Sequence, residues 1–266
     1  MPDQTTTSWW RRVFGAKELQ GGGRLRWWAE IGTVIVVVLV AAVLLPSIAP
    51  PSIPASALGN GDGIVAFERT FGLFHEQAIQ AAVLGFGSVF AVLANWWYGL
   101  MHFAATAAVF VWLYRRHPDD YPLWRNTLAI SAVAALAIQA LWPATPPRLL
   151  AGSGGAPIFR DTLTEFSALW SFSSSGGVAN QHAAMPSMHA VWALICACVV
   201  FPRASRLWVK VAAIAYPAIT VLAIVVSGNH YFVDALGAIP IVGLGYLLAR
   251  RFTRAGRRRP VLDLAA

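Results

Sequence analysis

An all-α integral membrane protein, with six transmembrane helices plus extracytoplasmic amphipathic helices, is predicted by three observations. Apolar runs of about 20 residues recur along the chain, the length that crosses a hydrocarbon core about 30 Å thick. Only 12% of the residues are charged and 57% are hydrophobic, against about 25% charged in soluble domains. The charges gather in tails and short connections between the apolar runs. The net charge of +8 therefore reads as cytoplasmic membrane loops and speaks against a nucleic-acid partner.

Taken in order, residues 1–26 form a basic cytoplasmic tail, with Trp9 and Trp10 beside Arg11 and Arg12, and Gly21-Gly22-Gly23 as a joint. Trp27–Leu45 is the first span. It is longer than a signal-peptide core and stops well before the cleavage-like Ala55-Ser56-Ala57, so it is kept as a helix. Residues 46–95 are expected outside the cytoplasm. A Pro-, Ser- and Gly-rich loop fills 46–63. From 64 to 94, Glu68, Arg69, His75, Glu76, Gln77 and Gln80 alternate with apolar residues at helical spacing, which predicts helices lying on the membrane surface. Residues 78–94 could instead cross it, but that would scramble the charge pattern described below.

Trp96–Tyr114, Pro122–Trp142, Met188–Phe201, Leu207–Val226 and Tyr231–Ala249 are the remaining spans. Residues 143–187 make a long loop, with a short helix expected over Thr162–Trp170. Residues 251–266 are a second basic tail, so residues 27–250 form the membrane catalytic domain. Six spans put both termini on one side. All but Arg69, Arg148 and Arg160 of the 20 Lys and Arg residues fall on that side. The positive-inside rule makes it cytoplasmic, and a multi-pass protein of the plasma membrane is expected. Cys196 and Cys198, two apart on one helix, point to different faces and build no disulfide framework.

The long loop, Arg148, His189 and His230 then share the extracytoplasmic side. His230 and Asp234 are four apart, so on a helix the carboxylate can hold the imidazole. Such a carboxylate fixes the tautomer and leaves the other nitrogen more nucleophilic; a plain hydrogen bond at a helix start is the bland alternative. His189 follows Pro186 and Ser187 at the start of a span. Free backbone N–H groups there suit an anion, Ser187 adds a hydroxyl, and His189 can protonate a departing oxygen. Arg148, after Pro146-Pro147, is a guanidinium suited to phosphate. Together these residues predict a phosphoryl-transfer site.

Pro186-Ser187-x-His189, and His230 with Asp234, resemble the motifs of the type 2 phosphatidic acid phosphatase superfamily of integral membrane enzymes. The likeness runs from about residue 95 to 250. It implies a nucleophilic His230 that forms a phosphohistidine, an orienting Asp234, a proton-donating His189, and Ser187 and Arg148 on the phosphate oxygens, with no metal or other cofactor. Two cationic ligands usual in the phosphatases are missing: Leu141 stands at the Lys position, and Ala223-Ile224 stand at a Ser-Arg pair. Pro146-Pro147-Arg148, Ala184-Met185-Pro186-Ser187-x-His189 and Gly228-Asn229-His230-Tyr231-x-x-Asp234 are instead similar to the inositolphosphotransferase branch, as in inositol phosphorylceramide synthases. Tyr98 and His102 also resemble that branch, though core packing explains them equally well.

The resemblance thus implies a lipid carrying phosphate as substrate and water or an alcohol such as inositol as acceptor. Fewer cations suit a phosphodiester better than the more highly charged monoester. Gln181 and His182 lie close enough in sequence to contact substrate. The rival readings are a zinc site from His182, His189, His230 and Asp234, whose spacing matches no standard zinc pattern, and a transporter or scaffold, for which no inverted repeat is visible.

Overall fold

Helix accounts for nearly all of what the computed structural model describes, namely residues 17–19, 24–30, 32, 55–150, 158–166 and 184–257. A short antiparallel pairing, β1 (Lys17–Glu18) with β2 (Arg24–Leu25), comes first. The expected first span, Trp27–Leu45, lies almost wholly outside the described residues; 27–30 and 32 are helical.

Helix α1 (Ala55–Thr70) buries Ala57, Gly61, Ile64, Val65 and Glu68, one stripe at helical spacing. Gly61 lets it lie against the chain leaving a later helix, since a Cβ there would stand 2.9 Å from the Thr145 carbonyl oxygen. Asn60 Nδ2 donates to the Pro143 carbonyl at 2.8 Å, and Thr145 N–H to that of Ala57 at 2.9 Å. After a turn through Gly72 comes α2 (Glu76–Gly85). The expected polar positions divide between two faces: Glu68, Glu76 and Gln80 are buried, whereas Arg69, His75 and Gln77 are exposed, as are Phe67 and Phe71. Helical periodicity identifies a face without saying which way it looks.

Gly87, at φ 126°, breaks the chain between α2 and α3 (Ser88–Trp96). A π-helical turn over Trp97–Met101 then joins α3 to α4 (His102–Arg116) without interruption. The second span expected from Trp96 therefore begins at Ser88, because the glycines at 85 and 87, not the tryptophans, end the preceding helix. At about 1.5 Å per residue the 29 residues of Ser88–Arg116 exceed a bilayer core.

Helix α5 (Tyr121–Leu141) has proline in its first turn, where the missing N–H costs nothing. A 3-10 turn (Pro147–Leu149) follows, then α6 (Thr162–Phe166); the rest of the helix expected to Trp170 lies outside the described residues. The bundle closes with α7 (Met188–Val200), α8 (Leu207–Val226), α9 (Phe232–Leu236) and α10 (Ala238–Arg257). Among the described residues, three helical stretches are long and apolar enough to cross a membrane: Ser88–Arg116, Leu207–Val226 and Phe232–Thr253. Met188–Arg203 is apolar but shorter.

Helix α7 is the centre, packed against α4, α5, α8 and α10. Its Val191, Ala193, Ile195 and Val199 are fully buried. Helices α5 and α10 pack against each other at Gly245, where a Cβ would run into Ser131 Oγ and stand 3.2 Å from the Thr127 carbonyl oxygen. Small residues at such crossings let backbones approach, which drives packing where lipid is as apolar as side chains. Gly245→Leu is expected to cost about 1–3 kcal/mol by overpacking. Gly243→Leu, with nothing within 4 Å of its Cβ, is the control in thermal unfolding of detergent-solubilised protein.

Arg203, just after α7, pairs with Asp120, just before α5, at 2.6 Å. The ends of α5 and α8, the start of α7 and the start of α9 consequently lie together at the opposite end of the bundle.

Candidate active site

That opposite end collects the polar side chains singled out in the sequence. His230 follows α8 after the turn at Gly228 and is 5% exposed. Its Nδ1 lies 2.7 Å from the Ala184 carbonyl oxygen and 3.2 Å from Asp234 Oδ2. A carbonyl oxygen only accepts, so Nδ1 is the donor and carries the hydrogen. In the neutral ring that leaves Nε2 with its lone pair, the tautomer a nucleophile needs. Asp234 also accepts from the Tyr231 N–H at 2.9 Å, so it caps α9 as it braces the ring. The closer partner, the Ala184 carbonyl, is a backbone group that no residue-type pattern reveals.

His189 enters from the first turn of α7. Its ring centroid lies 5.8 Å from that of His230. Tyr98 stacks on it at 4.2 Å and His102 meets it edge-on at 4.3 Å. Both come from the π-helical turn and the residue after it, whose wider geometry is common at functional sites. His102 Nδ1 is 3.0 Å from the Tyr98 carbonyl oxygen. Tyr98 and His102 are therefore packed on an imidazole of the site. His189 Nδ1 is buried and has no hydrogen-bond partner among the described residues.

Ser187 is fully buried at the N-cap of α7, its oxygen accepting from Ala190 N–H at 3.4 Å. The cap uses the oxygen and leaves the hydroxyl hydrogen as the donor toward an anion. Ser187 N–H reaches the Asp234 carbonyl at 3.1 Å, and Gln139 Nε2 donates to the Pro186 carbonyl at 2.8 Å. These bonds fix α7 against α9 and α5.

Arg148 is oriented by Asn229 and Asp161, to which the sequence assigned no role in the site. Its Nε donates to Asn229 Oδ1 at 2.9 Å and its Nη1 to Asp161 Oδ2 at 3.3 Å. Its backbone N–H donates to the Gly228 carbonyl at 2.9 Å. Gln80 holds the far side of the same turn, donating to the carbonyls of Arg160 and Val226 at 2.9 and 3.0 Å. Gly228 has φ 72°, and a Cβ there would meet the Arg160 carbonyl oxygen at 3.0 Å and Arg148 Cβ at 3.2 Å. Left-handed backbone costs a residue with a Cβ about 1–3 kcal/mol. Gly228→Ala is expected to lower thermal stability and to raise KM as Arg148 shifts; melting and steady-state kinetics check both.

Leu141 is 86% exposed, whereas Ala223 and Ile224 are buried, so none of the three brings a cation to the site. Gln181 and His182 lie outside the described residues. Among the described residues, no group of three or more His, Cys, Asp or Glu is arranged to hold a metal ion. What the arrangement offers is a nucleophilic nitrogen, a second imidazole beside it, a guanidinium and a helix N-terminus.

Sequence comparison agrees in kind. The family model of the PAP2 superfamily matches residues 62–248, more than two thirds of the chain. No curated protein and no solved structure matches.

Proposed function

The chain belongs to the PAP2 superfamily, membrane-associated phosphatase-type enzymes acting on phosphate-bearing substrates, and from that premise we propose that it is a lipid phosphotransferase working through a phosphohistidine. The observation that carries this reading is the His230 ring, held by the Ala184 carbonyl and Asp234 with Nδ1 protonated. In the first step Nε2 attacks phosphorus, the bond to the leaving oxygen breaks, and His189 gives that oxygen a proton. In the second, His189 takes a proton from the acceptor, whose oxygen attacks phosphorus and releases His230. Arg148 and the N-terminus of α7 at Ser187 hold the phosphoryl oxygens, whose charge they stabilise in the transition state. No step calls for a metal ion or other cofactor.

An alcohol such as inositol is the proposed acceptor, and a lipid phosphodiester the donor. The leucine, alanine and isoleucine at positions 141, 223 and 224 support it, since a site with fewer cations suits the less charged diester. Water as acceptor, as in a polyprenyl or phosphatidate-type lipid phosphatase, is the other outcome of the test. The proposed topology has six spans, cytoplasmic termini and a site opening outside the plasma membrane. It is supported by the distribution of Lys and Arg, and by the Arg203–Asp120 pair at the end away from the site.

The deciding experiment incubates purified protein in detergent and EDTA with labelled phosphatidic acid and phosphatidylinositol, with and without inositol. Product formed only with the alcohol supports the phosphotransferase. Free phosphate released without it means a phosphatase. Loss of all turnover in EDTA would overturn the metal-free mechanism.

A further inference from the structure

Two carboxyl groups that take no part in these steps are buried beside the His230 segment. Glu68 lies near the end of α1 and Glu76 opens α2, and each is 0% exposed. Glu76 Oε1 accepts from the Phe232 N–H and Glu68 Oε1 from the Val233 N–H, both at 2.8 Å. With Asp234 on the Tyr231 N–H at 2.9 Å, three successive N–H groups after His230 each end on a different carboxyl group.

Capping a short helix does not need this. The first N–H groups of a helix want acceptors, but a neutral Ser, Thr or Asn side chain serves, without the cost of burying a charge. Glu68 Oε2 and Glu76 Oε2 receive no hydrogen bond from an N–H or hydroxyl donor. Burial, and then the hydrogen bond to Glu76, push Glu68 up to about 9. Glu68 therefore keeps its proton at neutral pH, and its hydrogen bond to Glu76 ties the two side chains together, each with its Oε1 on a backbone N–H. Asp234 is a further negative neighbour, while Arg69 turns away over the Phe74 ring at 4.9 Å.

We propose that Glu68 and Glu76 are positioning residues, a pair that sets the His230 ring for attack by gripping the N–H groups of Phe232 and Val233. The proposal rests on His230 being the nucleophile. The pair touches no reacting atom. It fixes the backbone that carries His230 and Asp234, so its loss moves Nε2 off line rather than emptying the phosphate site. A shift on the order of 1 Å in such a group can cost about 10²-fold in rate.

The test measures kcat and KM with whichever of labelled phosphatidic acid and phosphatidylinositol the wild type turns over faster, in detergent, beside thermal melts. Glu68→Ala is expected to lower kcat about 10- to 100-fold with KM within about twofold. Glu68→Gln, whose amide both donates and accepts, is expected to recover most of that loss. Glu76→Asp keeps the charge but withdraws the acceptor by one methylene; it is expected to lower kcat at least about tenfold and decides the matter if Glu68→Ala fails to fold. Wild-type kcat in both Glu68→Ala and Glu76→Asp would reduce the pair to a helix cap and overturn the proposal. So would a Glu68→Gln as impaired as Glu68→Ala, since the acid itself would then be required. His230→Asn is run in parallel. Turnover surviving there overturns the nucleophile reading and the proposal with it. A dead His230→Asn beside unimpaired Glu variants overturns the clamp alone.

Discussion

His230→Asn is expected to abolish turnover, by at least roughly 10⁴-fold, as removal of a covalent nucleophile does elsewhere. Asparagine is the informative replacement. Its side-chain amide can stand where Nδ1 stands and still donate to the Ala184 carbonyl, now 2.7 Å from the ring. Alanine would leave that buried carbonyl without its donor, at a cost of about 1–3 kcal/mol, and would confuse folding with chemistry. The measurement is turnover together with trapping of labelled phosphoenzyme. A phosphorus–nitrogen bond survives alkali and breaks in acid, so the wild-type adduct should show that stability and His230→Asn should show no adduct. An alkali-labile adduct, or turnover near wild type in a folded variant, would sink the assignment.

His189→Gln should be nearly as severe, but only for some substrates. Proton transfer to a leaving oxygen is worth about 10²–10⁴-fold, and an alkoxide departing from a lipid needs all of it. A p-nitrophenyl ester needs little, because the phenolate leaves without a proton. Because His189 also serves the second step, which both substrates share, the comparison is made on the first turnover: the expected loss is about 10²-fold or more in phosphoenzyme formation from the lipid and much smaller in the burst of nitrophenolate. An equal loss on both would mean that His189 binds phosphate or merely packs against Tyr98 and His102, whose rings lie 4.2 and 4.3 Å away.

How much of this could be read from the chain depends on the kind of signal. His189, His230, Asp234 and Arg148 were legible because ionisable residues at the margins of apolar runs are costly and therefore informative. The all-helical class followed from composition for the same reason. The Ala184 carbonyl was not legible, since a backbone oxygen has no residue type. Glu68 and Glu76 were visible as polar positions but were assigned to a surface, because periodicity carries no sense of inside and outside. Asn229 was visible within the Gly228-Asn229-His230 motif but without a role, and Asp161 carried no signal; only the fold brings them to Arg148. The start of α3 at Ser88 was recoverable from Gly85 and Gly87. The π-helical turn at Trp97–Met101 was not, as it reflects packing of Tyr98 and His102 on α7 rather than local preference.

The grip on Phe232 and Val233 spans 156 and 165 residues of chain, reaching back to Glu76 and Glu68. Those two glutamates leave the ribosome long before the segment they hold. During synthesis they must wait as ordinary carboxyl groups until α9 arrives to desolvate them. Asp234 and His230 likewise arrive with the last helices, as do Gly228 and Asn229, which orient Arg148. Under the proposed mechanism no product of translation that ends before α9 could turn over, because His230, Asp234 and the N–H groups held by Glu68 and Glu76 all come with the last helices.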